Sequence, residues 1–293
     1  MNNETETFNY GNIRLEKSNF TIPPILIGTL FYQGETILDR KNPENFDEDK
    51  AQKRIDLHKS LAKKYKIPEM VELSATSAQS MRTYLDFYFS HYDPPIILGG
   101  TLEARIAGLK YLRKNEYNSS DFVYNSITNL KNSKEIDALK EFQVESAVIL
   151  IVGSDNMTSS QKYSYLTKKR PLYNLNLIDS LKQMGVEKIW IDGGVIGLDS
   201  LVQNLELHQL VSSSLHLPVG TAPNNFLFKY ASPRLNKKFH TKYRRASIMF
   251  IASLYSNFIF YGAIEDAKES FSSAFQALEF RKTKNEHNIK LMD

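Results

Sequence analysis

The chain has 293 residues, room for one barrel-sized domain, and its 42% hydrophobic content, rich in Phe and Tyr, supplies a full core. It has no cysteine, which excludes disulfides, thiolate zinc or iron–sulfur sites and a cysteine nucleophile. With 37 basic and 33 acidic residues the net charge is +4, too small and too mixed to point to nucleic acid.

The first residues, Met1-Asn-Asn-Glu-Thr-Glu6, lack the basic and apolar regions of a signal peptide, so the expectation is a cytoplasmic protein. Residues 1–22 read as an extended or hairpin extension that plugs the bottom of a main domain over 23–281, and 282–293 as a charged, frayed tail. The first strand is the apolar run Pro23-Pro24-Ile-Leu-Ile-Gly-Thr-Leu30, followed by an aromatic-polar loop, Phe31-Tyr32-Gln33-Gly34. Phe46-Asp47-Glu48-Asp49 opens a helix running to about 66, with acids in its first turn. Strands at 70–74, 96–99 and 121–126 follow, with helices at 78–90, 102–113 and 134–142. The β-branched run 146–152 reads as a fully buried strand, then a loop over 154–169 and a helix near 172–184. Lys188-Ile-Trp-Ile-Asp192-Gly193-Gly194 is a short buried strand ending in a carboxylate, and Asp199 stands where it would cap the next helix. Strands at 217–221 and 258–261 precede helices near 243–256 and 265–281. The uncharged stretch 246–264 has the length of a membrane span. Its serines and Asn257 favour a helix followed by a buried strand.

Eight strands, each followed by a helix, predict a single (β/α)8 TIM-type barrel. Its active face is built from the residues closing each strand. These are Phe31, Tyr32 and Gln33; Glu72 and Ser74; Gly99 and Gly100; Tyr124, Asn125 and Ser126; Gly153, Ser154 and Asp155; Asp192; Thr221, Asn224 and Asn225; Tyr261 and Glu265. Histidine is absent from that set, which disfavours a His base or triad, and no Asp/Glu/His cluster of metal-ligand type stands out. Amides and glycines dominate, suiting a flat, hydrogen-bonding, partly apolar ligand. Asp192 can accept two N–H bonds from an amidine-like edge, and Asn125 can donate and accept. Glycines 99, 100, 193 and 194 would leave room for a bicyclic ring. Each feature has a plainer reading. Asp192 caps a turn, Asn125 satisfies a loop, Glu72 joins a salt bridge inside the barrel, and Asn224-Asn225 is turn chemistry. The basic run Lys237, Lys238, His240, Lys242, Arg244 and Arg245 is a solvated face or an anion clamp.

The stretches Ile25-Leu-Ile-Gly-Thr-Leu-Phe-Tyr32, Phe46-Asp-Glu-Asp-Lys-Ala51, Tyr84-Leu-Asp-Phe87, Tyr124-Asn-Ser-Ile127, Pro218-Val-Gly220 with Pro223 and Asn225, and Tyr261-Gly-Ala-Ile-Glu-Asp-Ala267 follow one another in an order and spacing that together are specific. Together they resemble the H subunit of the tetrahydromethanopterin S-methyltransferase complex and its relatives, which move methyl groups between tetrahydropterins and corrinoid proteins. The resemblance implies a methyl-tetrahydropterin (of tetrahydromethanopterin or tetrahydrofolate type) held at the barrel mouth, where a corrinoid protein presents its cob(I)amide. It implies that Asn125 and Asp192 bind the pterin edge and that Asn225 contacts N5. Glu72, Ser126, Tyr32 and Glu265 would complete the substrate site, with Asp192 and Asn225 as the catalytic pair and no metal held by the chain. A homodimer, peripheral to a membrane-bound methyltransferase complex, is the implied assembly.

The chain departs from the family pattern at three strand ends. Gly99-Gly100 stands where the third strand usually ends in Asp-Ser, Gly153 where Asn is frequent, and Glu72 where relatives have Asp. A lost charge-assisted bond would cost about 1.5–3 kcal/mol. Either Glu72 or a water compensates, the ligand differs, or the chain is a divergent, non-catalytic barrel that docks a corrinoid protein or membrane complex. A barrel enzyme using the basic run on a small anionic substrate is a third reading.

Overall fold

The computed structural model describes residues 6–18, 20–151, 157–169, 175–227 and 237–287, with the backbone alone for 226–227 and 237–244. Two antiparallel strands, β1 (Thr7–Tyr10) and β2 (Ile13–Glu16), form an N-terminal hairpin. Then come β3 (Ile25–Leu30), α1 (Glu48–Tyr65), β4 (Glu69–Ala75), α2 (Ala78–His91), β5 (Ile96–Gly100), α3 (Leu102–Lys114), β6 (Phe122–Ile127) and α4 (Ser133–Glu141). The second half holds β7 (Ser146–Leu150), α5 (Ser159–Thr167), α6 (Leu177–Gln183), β8 (Lys188–Asp192), α7 (Leu198–Leu215), β9 (Val219–Thr221), α8 (Asn224–Leu227), α9 (Lys237–Leu254), β10 (Phe258–Ala263) and α10 (Ala267–Glu286). The strands β3 to β10 pair in parallel and close into a barrel in the order β10-β3-β4-β5-β6-β7-β8-β9, a (β/α)8 fold as the sequence predicts.

Strand alternation sorts the side chains. Outward residues such as Val71, Leu73, Leu98 and Ile191 pack under the helices, while Ile25, Ile27, Met70, Ile97, Val123, Val148, Trp190, Phe258 and Phe260 fill the interior. Gly220 on β9 gives the Phe258 ring its place, because a Cβ there would lie 2.5 Å from the ring. The hairpin closes the bottom by adding Tyr10 and Leu15 to this interior cluster. Trp190 Nε1 donates to Tyr10 Oη at 2.8 Å, and Tyr10 Oη donates to Ser146 Oγ at 3.1 Å, so the plug satisfies the polar atoms it buries. Glu16 secures the hairpin's exit by accepting from the Thr21 N–H and hydroxyl and the Ile22 N–H.

Several elements differ from expectation. The connection over 154–169 contains α5, opened by Thr158 and Gln161 capping each other's backbone N–H groups; Thr and Gln at that spacing are a helix-start signal hidden in a polar stretch. Of the helix expected at 172–184, residues 177–183 form α6, and 170–174 lie outside the described residues. Helix α7 starts after Gly197, so Asp199 sits in its first turn instead of capping it. Helix α9 begins at Lys237, and α10 continues through Glu286, so the first part of the expected tail is helical. The uncharged stretch 246–264 divides into the end of α9 and β10; at the break the Asn257 N–H donates to Val219 O and its Oδ1 accepts the Val219 N–H. Among the described residues no helix is long and apolar enough to cross a membrane.

Replacing Tyr10 by Phe leaves the indole N–H of Trp190 buried without its acceptor. Urea unfolding should register a loss of about 1–3 kcal/mol. Trp190 is the sole tryptophan, so its fluorescence reports the barrel floor directly.

Candidate active site

The same alternation that fills the barrel floor builds the mouth. Two residues beyond the inward Ile27, Met70, Ile97, Val123 and Trp190 stand Thr29, Glu72, Gly99, Asn125 and Asp192, at the carboxyl ends of β3, β4, β5, β6 and β8. Glu72 and Asp192 are 8% and 4% exposed, and Asn125 is half-buried. Glu72 accepts from Thr29 Oγ1 and Asn125 Nδ2, both at 2.6 Å. Burial pushes its carboxyl above the ordinary range, while those two donors and the Arg105 guanidinium oppose the rise. Among the described residues Asn125 Oδ1 has no hydrogen-bond partner, although an amide oxygen can accept. Ser126 follows, half-buried, where the register with β7 slips between Asn125 and Ile127.

The glycines do not keep space for a ligand as the sequence suggests; the chain's own groups fill it. A Cβ on Gly99 would lie 2.4 Å from Glu72 Oε1, so Glu72 leans across the end of β5 into the position a side chain there would take. A Cβ on Gly193 would meet the Asn204 amide at 2.3 Å, and Gly194 has φ +66° with its Cβ position 2.5 Å from Ile151 O. The acid missing at Gly99 is thus replaced in space by a longer acid from the neighbouring strand.

Of the two readings considered for Asp192, the geometry shows the turn cap. Oδ1 accepts the Gly194 N–H at 2.8 Å, capping the turn, and among the described residues Oδ2 has no hydrogen-bond partner. Burial raises its carboxyl from the ordinary 3.8 to about 7; the Gly194 N–H and Lys162 pull it down and Glu72 pushes it further up. Sequence reasoning missed Lys162, on α5, and Asn204, on α7, which stand behind this turn. Their signal was weak, because Lys162 lay in an expected loop and Asn204 in a helix interior. Thr29 was missed as well, although it continues the Ile25, Ile27 alternation.

On the β10–β3 side, Tyr32 Oη donates to Glu265 Oε1 at 3.0 Å, and Arg54 pairs with Glu265 at 3.3 Å and with the buried Glu35. Tyr32 and Glu265 are therefore bound to each other at the rim. Burial and Glu265 raise the Glu35 carboxyl to about 7 against Arg54 and the Phe31 N–H. Asn224 is buried and donates to Tyr261 O, whereas Asn225, beside it at the start of α8, is exposed. Two strand-end candidates face away from the mouth. Tyr124 Oη donates to Glu135, and Tyr261 Oη bonds His58 Nδ1 beneath α1. Val152, Gly153, Ser154 and Asp155 lie outside the described residues, as do the basic-run side chains except Arg245, which pairs with Asp266 at 2.7 Å. Among the described residues no three His, Cys, Asp or Glu side chains form a group that could hold a metal ion.

Residues 4–290 match the family model described as the tetrahydromethanopterin S-methyltransferase MtrH subunit. The tetrahydromethanopterin S-methyltransferase H subunit of Methanothermobacter thermautotrophicus is 26% identical over 262 residues, 87% of this chain and 84% of that protein. The Methanopyrus kandleri protein of the same name is 28% identical over 206 residues, 69% of this chain; the match spans just under two thirds, 64%, of that relative. The H subunit of a putative mtx methyltransferase from Methanosarcina mazei is 28% identical over 196 residues, 66% of this chain and 62% of that one. Among solved structures, a Yersinia pestis dihydropteroate synthase superposes with a TM-score of 0.63 over 95% of this chain and 100% of that one, at 13% identity, a likeness of fold.

Two outcomes follow from the packed mouth. Gly99→Ala should destabilise the protein by about 1–3 kcal/mol by displacing Glu72, and the penalty should shrink in a Glu72→Ala background, which a double-mutant cycle by urea unfolding measures. Asp192 has a folded value above its unfolded one, so the stability it contributes is complete below about pH 4 and is lost as pH rises through about 7. Asp192→Asn should therefore raise the thermal midpoint at pH 8, with a ceiling of roughly 4 kcal/mol, and change it little at pH 4.

Proposed function

The chain belongs to the family of the tetrahydromethanopterin S-methyltransferase MtrH subunit, and from that premise we propose that it transfers a methyl group between N5 of a methyl-tetrahydropterin and the cob(I)amide of a corrinoid protein. The observation that carries this reading is the half-satisfied polar layer of Glu72, Asn125 and Asp192 on an apolar floor. A reduced pterin has that character. Its pyrimidine edge presents a ring N–H and an amino group, and its second ring is largely apolar. Asp192 accepts one of the paired N–H donors on Oδ2 and the other on Oδ1, whose second lone pair the Gly194 N–H leaves free. Asn125, held by its bond to Glu72, offers Oδ1 to the same edge. Ser126, Tyr32 and Glu265 line the ligand's periphery.

In the transfer, the N5–methyl bond breaks as the cobalt–methyl bond forms. N5 keeps the bonding electron pair and takes a proton. A tertiary amine is a poor leaving group, so hydrogen bonding at N5 must strengthen as the bond stretches. Such positioned proton transfer contributes on the order of 10²–10⁴-fold. Asn225, exposed at the start of α8, is the residue assigned to N5; its amide donates a hydrogen bond, and solvent supplies the proton. Alignment of two bulky reactants contributes much of the remainder. The corrinoid partner docks over the open end of the barrel, and the chain works as a homodimer alongside a membrane-bound methyltransferase complex. The non-catalytic docking reading drew its support from the missing acid at Gly99. Glu72 leaning into that position weakens it.

Calorimetric titration with methyl-tetrahydromethanopterin and methyl-tetrahydrofolate, with Asp192→Ala as control, is the test. Micromolar binding that the substitution abolishes supports the reading and identifies the preferred pterin. Because the edge needs an ionised acceptor and Asp192 sits near 7, binding should tighten between pH 6 and pH 8. No heat with either ligand would overturn the proposal in favour of a docking subunit.

A further inference from the structure

Lys162 is a buried cation that the reaction as described does not use. It is 4% exposed, on a short helix between β7 and β8 whose position is fixed against α7: the Ser159 N–H donates to Gln203 Oε1 and the Ser159 hydroxyl to Glu206. Its ammonium lies 2.6 Å from Asn204 Oδ1 and 3.4 Å from Gly194 O. Asn204, itself wholly buried, reaches Gly194 O at 3.3 Å and Thr221 Oγ1 at 3.5 Å through Nδ2, and its amide occupies the space above Gly193. The N–H of the same Gly194 donates to Asp192. Lysine and asparagine thus grip the Gly193-Gly194 half of the turn that the Asp192 carboxylate caps.

We propose that Lys162 is a positioning residue for Asp192, clamping the turn with Asn204 from behind and keeping the carboxylate charged and aimed at the ligand. The ligand part rests on the pterin reading above; the effect on Asp192 does not. The charged and titratable groups facing this pair come from four elements. Lys162 approaches Asp192 from α5 and Glu72 from β4; His208 lies within reach of Lys162 from α7, and Arg105 from α3 acts on Glu72. Burial lowers Lys162 to about 8 while Asp192 holds it up, so at neutral pH the ammonium persists. Glu72 pushes Asp192 towards its neutral form and Lys162 pulls it back. Neutralising Lys162 removes the one side-chain cation acting on Asp192 among the described residues, so the carboxyl must titrate higher.

The test compares Lys162→Met, Lys162→Gln and Lys162→Arg with wild type between pH 5.5 and 9. One readout is the titration of the Asp192 carboxyl in the ligand-free protein, from 13C-labelled aspartate assigned with Asp192→Asn. The other is calorimetric binding of methyl-tetrahydromethanopterin over the same range. In the Met variant the Asp192 midpoint should rise by about one unit or more. Pterin binding at pH 7 should weaken about fivefold and recover by pH 9. Arg should restore both. Gln keeps a donor for Gly194 O without the charge, separates the two effects, and carries the test if the Met variant does not fold. An unchanged Asp192 midpoint in a folded neutral variant overturns the proposal. A shifted midpoint with no pterin bound by any form, wild type included, upholds the positioning role and sinks the ligand reading.

Discussion

In a closed parallel barrel the inward positions alternate strictly, so a residue two beyond a floor side chain has nowhere to point but the mouth. That constraint puts Asp192 above Trp190 and Glu72 above Met70. Both carboxylates consequently rest on a dry layer of Ile, Met, Val and Trp, where loss of hydration penalises the charged form. Much of the surrounding architecture can be understood as the set of groups that make this tolerable: Thr29 and Asn125 for Glu72, the Gly194 N–H and the nearby ammonium for Asp192. The hairpin belongs to the same scheme from below, since it keeps water from the floor while satisfying the indole N–H.

The two acids differ in how they are met. Glu72 has a donor on each oxygen from within the chain, whereas Asp192 has one oxygen committed to the turn. A site of this kind discriminates by what it leaves unpaired. On the proposed pterin reading, a ligand bringing N–H groups in the right plane would complete the pairing, and one lacking them would leave an acceptor unpaired. Rigid backing matters here because the acceptor's direction is set by a two-glycine turn, which has little stiffness of its own. Gly193 can lie against the Asn204 amide, and Gly194 against Ile151 O, only because neither carries a side chain.

Much of this was legible in the sequence. Alternating β-strand and helix signals gave the barrel, and the run Lys188-Ile-Trp-Ile-Asp192 marked the strand that carries Asp192 because three apolar residues end abruptly in a carboxylate. The hairpin plug was also readable, as a short polar-apolar segment before the first buried run. The failures have different causes, one being that spacing along a chain does not say what crosses between elements. Glycines 99 and 193 were expected to leave room for a ring, and the side chains of Glu72 and Asn204 fill those places instead. Tyr124 and Tyr261 stand at strand ends, yet parity along the strand turns them to the helix layer. Lys162 was hidden for a different reason: its helix is held by a cap and by contacts with α7, and it carries little apolar periodicity of its own.

The shared volume of Glu72 and Gly99 also constrains how such a mouth can change over generations. An acid rooted on β5 and a glutamate rooted on β4 compete for one place, so a lineage cannot simply add the first while keeping the second. Exchanging them in single steps passes either through an overfilled mouth or through one with no carboxyl on that side. The two positions therefore act as one unit, and a variant that changes either alone is expected to be less stable or less discriminating. A single-residue comparison at either position would record only half of that event.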